Sequence, residues 1–168
     1  MGRIRDDRSF GSPPPSSSTP GSVSEMKIRD ILRTKGFDVV TIPPHFPLLD
    51  AMRLLVKHNI GSLVVAEERS VQGIITERDI LRIGAEDPEQ FKRRYVEEFM
   101  TKDVVVGVPE DSLAYVMQIM TQNRIRHLPV VDDGWLEGIL SIGDVVNALR
   151  TDVEAENRHL RDYIAGKA

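Results

Sequence analysis

This 168-residue chain predicts a mixed α/β (α+β) fold of two tandem β-α-β-β-α repeats, related by pseudo-two-fold symmetry and packed through their sheets. Three observations predict it. The sequence repeats itself at an offset of 65 residues. Each copy alternates short aliphatic runs with one amphipathic segment. Hydrophobic residues make up 40% of the chain but aromatics only 5%, so the core is aliphatic.

The repeat is legible residue by residue. Shifted by 65, Asp38-Val39-Val40 falls on Asp103-Val104-Val105, Pro44 on Pro109, Leu48 on Leu113 and Met52 on Met117. Ile60, Leu63 and Val65 fall on Ile125, Leu128 and Val130, and Gly73-Ile74 on Gly138-Ile139. Thr76 falls on Ser141 and Asp79 on Asp144, with no gap from position 38 to 79. An earlier short helix, Ile28 to Leu32, matches Val96 to Met100 at an offset of 68.

Taken in order, residues 1–25 read as a flexible leader, because 9–24 are rich in Pro, Ser and Gly with little to bury. Residues 26–87 form the first repeat, 95–150 the second and 151–168 a helical tail. Each repeat opens on a short strand, Val39-Val40-Thr41 or Val104-Val105-Val106, followed by a Pro-containing turn. The amphipathic helix then carries Leu48, Met52, Leu55 and Val56 in one copy and Leu113, Val116, Met117 and Met120 in the other. Two strands follow, Ser62 to Ala66 with Gly73 to Ile75, and His127 to Val131 with Leu136 to Leu140. Their turns are Glu67-Glu68-Arg69 and Asp132-Asp133-Gly134, and a closing helix starts after Thr76 or Ser141. In the tail Leu149, Val153, Leu160 and Ile164 form an apolar stripe, suited to the chain's own body or to a partner subunit.

Composition removes several functions. A net charge of −4 argues against nucleic-acid binding, and the scarcity of aromatics removes base-stacking platforms. The absence of cysteine excludes disulfides, thiol catalysis and cysteine metal sites. No apolar run nears the ~20 residues of a membrane span, and the N-terminus lacks a secretory h-region. A cytoplasmic location is the expectation, with organelle targeting left open. His45, His58 and His159 have no metal-ligand spacing with one another, so no metal is expected.

The chemistry concentrates in Gly73-Ile74-Ile75-Thr76-Glu77-Arg78-Asp79 and its twin Gly138-Ile139-Leu140-Ser141-Ile142-Gly143-Asp144. A hydroxyl residue followed three positions later by Asp is a helix capping box, and one isolated copy would carry no further meaning. Two copies in the same strand–turn–helix context point further. Exposed N–H groups and the positive helix end suit an anion, and a carboxylate there can accept from ribose hydroxyls.

These paired patterns resemble the CBS-domain family, with Ile60-Gly61-Ser62-Leu63-Val64-Val65 and Arg124-Ile125-Arg126-His127-Leu128-Pro129-Val130-Val131-Asp132 completing them. The resemblance spans about residues 26–150 and is closest to stand-alone CBS pairs, also called Bateman modules. It implies a disc with two clefts, each able to hold an adenosine-containing ligand. Asp79 and Asp144 would bind ribose beside Thr76 and Ser141. Thr41 and Val106, in Val40-Thr41-Ile42 and Val105-Val106-Gly107, would flank the adenine, with Ser62, His127 and Pro129 lining the other side. Arg78, Arg126 and His127 would meet phosphate. The clefts differ, because Gly61-Ser62 stands where the second copy has Arg126-His127, and Gly143 where the first has Arg78.

The ligand implied is AMP, ADP or ATP, with NAD(H) or S-adenosylmethionine as further candidates. The sequence holds no Walker loop, no nucleophile elbow and no His-Glu-x-x-His, so no catalytic cofactor and no enzyme activity are expected. The expected function is an adenine-nucleotide-binding regulatory or energy-sensing module, homodimeric and acting on an unidentified partner protein. The alternative is a scaffold whose clefts are empty or degenerate.

Overall fold

The computed structural model describes residues 26–164, so the leader expected at 1–25 and residues 165–168 lie outside the described residues. The element order is α1 (Ile28–Lys35), β1 (Thr41–Ile42), α2 (Leu48–His58), β2 (Ser62–Glu67), β3 (Ser70–Thr76), α3 (Glu77–Glu86) and α4 (Pro88–Phe91). A 3-10 turn at Val96–Glu98, α5 (Leu113–Gln122), β4 (His127–Asp132), β5 (Trp135–Ser141) and α6 (Ile142–Ile164) follow. The two β-α-β-β-α copies expected from the repeat are present, and the fold is mixed α/β.

The chain groups into two compact units that exchange their leading helices. The first unit comprises Asp38–Val106 and Val131–Glu137; the second comprises residues 26–37, Gly107–Val130 and residues 138–164. Helix α1, which opens the first repeat in sequence, is therefore built into the unit of the second. The turn at 96–98, which opens the second repeat, is built into the unit of the first.

Backbone hydrogen bonds show that the two exchanges are the same construction. Ile28 N–H donates to Asp111 O at 3.0 Å in one unit, and Val96 N–H to Phe46 O at 2.9 Å in the other. Arg29 N–H to Pro109 O matches Glu97 N–H to Pro44 O, each at 3.0 Å. Donors correspond at the 68 offset and acceptors at 65, so the shift in the repeat marks where the helix is exchanged.

In the first unit β1 runs parallel to β2, pairing Thr41 with Val64 and Ile42 with Val65, and β2 runs antiparallel to β3, pairing Ser62 with Thr76. The opening strand starts two residues later than the expected Val39-Val40-Thr41 and shares Thr41 with it, and Pro43, which has no N–H to give a ladder, ends it. In the second unit the parallel pairing with β4 is a single bridge, Gly107 with Val130, and of the expected Val104-Val105-Val106 Val105 alone takes part in a bridge. The Gly107–Val130 bridge is the Ile42–Val65 pair moved by 65 residues. A Cβ on Gly107 would sit 2.7 Å from Ile28 Cδ1 and 2.9 Å from Leu128 Cδ2, so the close approach requires glycine.

Strands β2 and β3 join through Glu68-Arg69, and β4 and β5 through Asp133-Gly134, all four at positive φ as a two-residue hairpin of this twist demands. Helix α2 buries Leu48, Ala51 and Leu55 against Ile42, Leu63, Val65, Ile75, Ile80 and Ile83. Val56, expected on that face, is 77% exposed, because the buried stripe runs through Ala51 instead. In the second unit Ile28, Leu32, Leu113, Val116, Met120, Leu128, Leu140 and Val145 are buried. Each such aliphatic side chain contributes about 1.5–3 kcal/mol on burial. Among the described residues no helix is long and apolar enough to cross a membrane.

Candidate functional site

Strand β3 ends at Thr76 and α3 begins at Glu77; β5 ends at Ser141 and α6 begins at Ile142. The start of each closing helix is tied to the start of the preceding hairpin. Glu77 N–H donates to Gly61 O at 3.0 Å, and Ile142 N–H to Arg126 O at 2.8 Å, again 65 residues apart. Each unit thus holds a helix start, a carboxylate and the entry to a strand together.

In the first unit Asp79 Oδ2 accepts from Thr76 N–H at 3.0 Å and from the Thr76 hydroxyl at 2.7 Å. Asp79 N–H donates back to Thr76 Oγ1 at 3.3 Å. In the second unit Asp144 Oδ2 accepts from Ser141 N–H and hydroxyl, both at 2.7 Å, and Asp144 N–H returns to Ser141 Oγ at 3.2 Å. The capping box expected from sequence is therefore present twice. It occupies one oxygen of each carboxylate. Among the described residues, Oδ1 of neither Asp accepts a hydrogen bond; Asp79 Oδ1 faces Arg82 Nη2 at 3.6 Å.

The units differ at the cation and the carbonyl beside the carboxylate. Lys35, in the last turn of α1, donates from Nζ to Asp144 Oδ2 at 2.6 Å and to Ile139 O at 2.9 Å. The equivalent carbonyl in the first unit, Ile74 O, accepts from the Thr101 backbone N–H at 2.9 Å. Burial pushes the Asp144 carboxyl up, but the hydrogen bonds from Lys35, Ser141 N–H and the Ser141 hydroxyl, with the Lys35 charge, outweigh it. The net result holds Asp144 below the ordinary carboxylate value.

The remaining expected residues divide between the units. The first holds Thr41 at the edge of its sheet, buried Ser62 paired with Thr76, Arg78 exposed one residue before Asp79, and half-buried Val106. The second holds Arg126, exposed, with its carbonyl on the first N–H of α6, half-buried His127, and buried Pro129, whose carbonyl accepts from Gly107 N–H at 2.9 Å. Sequence reasoning misses Lys35 and Arg82. Arg82 follows Asp79 by three residues on α3, a spacing that is readable. Lys35 is hidden in a stretch where the repeat changes offset. Among the described residues no group of three His, Asp or Glu side chains is placed to hold a metal.

The CBS-domain family profile matches residues 28–86 and 96–151. The mitochondrial CBS domain-containing protein CBSX3 of Arabidopsis thaliana is 36% identical over 148 residues, covering 83% of this chain and 72% of that protein. A solved CBS-domain-containing protein of Agrobacterium tumefaciens is 40% identical with a TM-score of 0.70, covering 73% of this chain and 98% of its own. The CBS domain pair of protein MJ0100, solved in complex with 5′-methylthioadenosine and S-adenosyl-L-methionine, is 29% identical with a TM-score of 0.64. The alignment covers 73% of this chain and 94% of that one.

Proposed function

The chain belongs to the CBS-domain family, and from that membership we propose that it is a non-catalytic regulatory module that binds adenosine ligands, adenine nucleotides first among them. The observation that carries the reading is the twin carboxylate. At both closing helices an Asp is anchored by one oxygen and keeps the other without a hydrogen bond, beside the N–H groups of a helix start. That arrangement suits the paired hydroxyls of a ribose. The complex of MJ0100 with two adenosine-containing molecules supports the same ligand class. In this reading Asp79 and Asp144 hold ribose, Thr76 and Ser141 orient them, Thr41, Val106, Ser62 and Pro129 line the base, and Arg78, Arg126 and His127 meet phosphate.

A ligand acts by binding one arrangement of the chain better than another, by an amount equal to its differential affinity. We read the output as a change in a homodimer or in a partner protein's contact. Leu81 on α3 is 73% exposed and Val146, its equivalent on α6, is 50% exposed. Apolar residues left open at matching positions of both closing helices favour self-association there.

Calorimetric titration with AMP, ADP, ATP, NAD(H) and S-adenosylmethionine tests the reading. Asp79→Asn and Asp144→Asn keep an acceptor for the cap but lose the charge, and each should weaken binding at its own site about tenfold or more. Binding unchanged by both substitutions removes the ribose assignment. No binding at all favours the scaffold.

A further inference from the structure

Lys35 sits where the two copies stop matching. Between Leu32 and Asp38 lie five residues, and between the equivalents Met100 and Asp103 lie two, so the first copy carries three more. That surplus lengthens α1 to Lys35, whereas its counterpart stops at Glu98. The consequence falls on one site only. At Asp79 the neighbouring carbonyl is closed by a backbone N–H from Thr101, and Arg82 faces the carboxylate at 3.6 Å. At Asp144 the same carbonyl and the carboxylate share one lysine ammonium, at 2.9 and 2.6 Å.

We propose that Lys35 makes the Asp144 site selective for adenosine ligands that carry phosphate. The inference rests on the reading of Asp144 as a ribose acceptor. An ammonium on Oδ2 draws charge from the carboxylate that the ribose hydroxyls must use. A neutral nucleoside offers Lys35 no other anion, so it binds against a carboxylate already neutralised. A phosphorylated nucleoside gives the ammonium a second anion, and the carboxylate is released to the ribose. The side chain suits such an exchange, being 35% exposed on a flexible four-carbon stem in the last turn of its helix. An ion pair this exposed adds little to stability, so a purely structural role is a poor account of it. The Asp79 site has no such lysine and should discriminate less.

The test isolates one site. In an Asp79→Asn background, AMP and adenosine are titrated into the full chain carrying Lys35, Lys35→Met or Lys35→Arg. AMP should bind about tenfold or more tightly than adenosine in the wild-type and Lys35→Arg chains, which keep the positive charge, and Lys35→Met should erase most of that ratio. Equal changes for AMP and adenosine in Lys35→Met, or no change in either, overturn the role of Lys35. Adding Asp144→Asn separates the two ideas: loss of both ligands on that addition is what the ribose reading predicts, whereas unchanged affinities, or no binding of either ligand while Asp144 is still in place, make the ribose reading itself fail. Melting of each variant without ligand confirms that it is folded.

Discussion

Asp144 Oδ2 gathers the Ser141 N–H and hydroxyl and the Lys35 ammonium within 2.7 Å, while Asp79 Oδ2 gathers only the two Thr76 donors. The difference has a pH signature. A carboxyl held below its ordinary value of 3.8 stabilises the fold in its ionised form. That contribution is complete above pH 3.8 and is lost as pH falls through the folded-state value. Lys35→Met removes part of it, costing within about 1 kcal/mol because both groups are partly exposed. Urea denaturation should show a deficit at neutral pH that shrinks on acidification below 3.8; a deficit that grows would contradict the assignment. Residue by residue, the paired Thr76–Asp79 and Ser141–Asp144 boxes are legible because capping depends on a three-residue spacing. Lys35 is not, because its partner is 109 residues away and it lies in the surplus turn that has no copy to align with.

At the scale of elements, glycine marks where the exchanged helices press on the strands. A Cβ on Gly138 would lie 2.8 Å from Leu32 Cδ2 and 3.0 Å from Cδ1; one on Gly73 would lie 2.6 Å from Met100 Sδ. Leu32 and Met100 differ by 68 and the glycines by 65, which is the helix exchange seen through side chains. Gly138→Ala should destabilise the protein by about 1–3 kcal/mol through overpacking. Thermal unfolding checks it, and an unchanged melting temperature would mean that Leu32 yields freely. The aliphatic runs and hairpin turns locate the β2–β3 and β4–β5 pairs to within three residues. Composition sets the opening strands too early, because Val39-Val40-Thr41 and Val104-Val105-Val106 read as strand from their residue types alone, and only Thr41 and Val105 of these take part in β pairing. The pairing with β2 and β4 falls at Thr41–Ile42 and at Gly107, where the backbone can reach those strands.

For the whole molecule, order along the chain and order in space disagree. Leu32 stands at the front of the first repeat in sequence but is buried in the second unit with Leu113, Leu128 and Leu140. Leu32→Ala should cost about 2–5 kcal/mol. Amide exchange should accelerate in 113–120 and 138–145 before it does in β2 and β3; the reverse order would place α1 with the first unit. The closing helix α6 runs to Ile164 where α3 stops at Glu86. In the tail stripe Val153 and Ile164 are exposed, and the side chain of Leu160 lies outside the described residues.

The central claim, that twin carboxylates bind adenosine ligands, meets its most direct test in thermal unfolding of the full chain. The wild type and an Asp79→Asn, Asp144→Asn double variant are melted with increasing AMP, ATP and S-adenosylmethionine. The account predicts a melting temperature that climbs with at least one ligand in the wild type, following native-state mass action, and stays flat in the double variant. A wild type that is indifferent to every ligand, or a double variant that climbs equally, would contradict it.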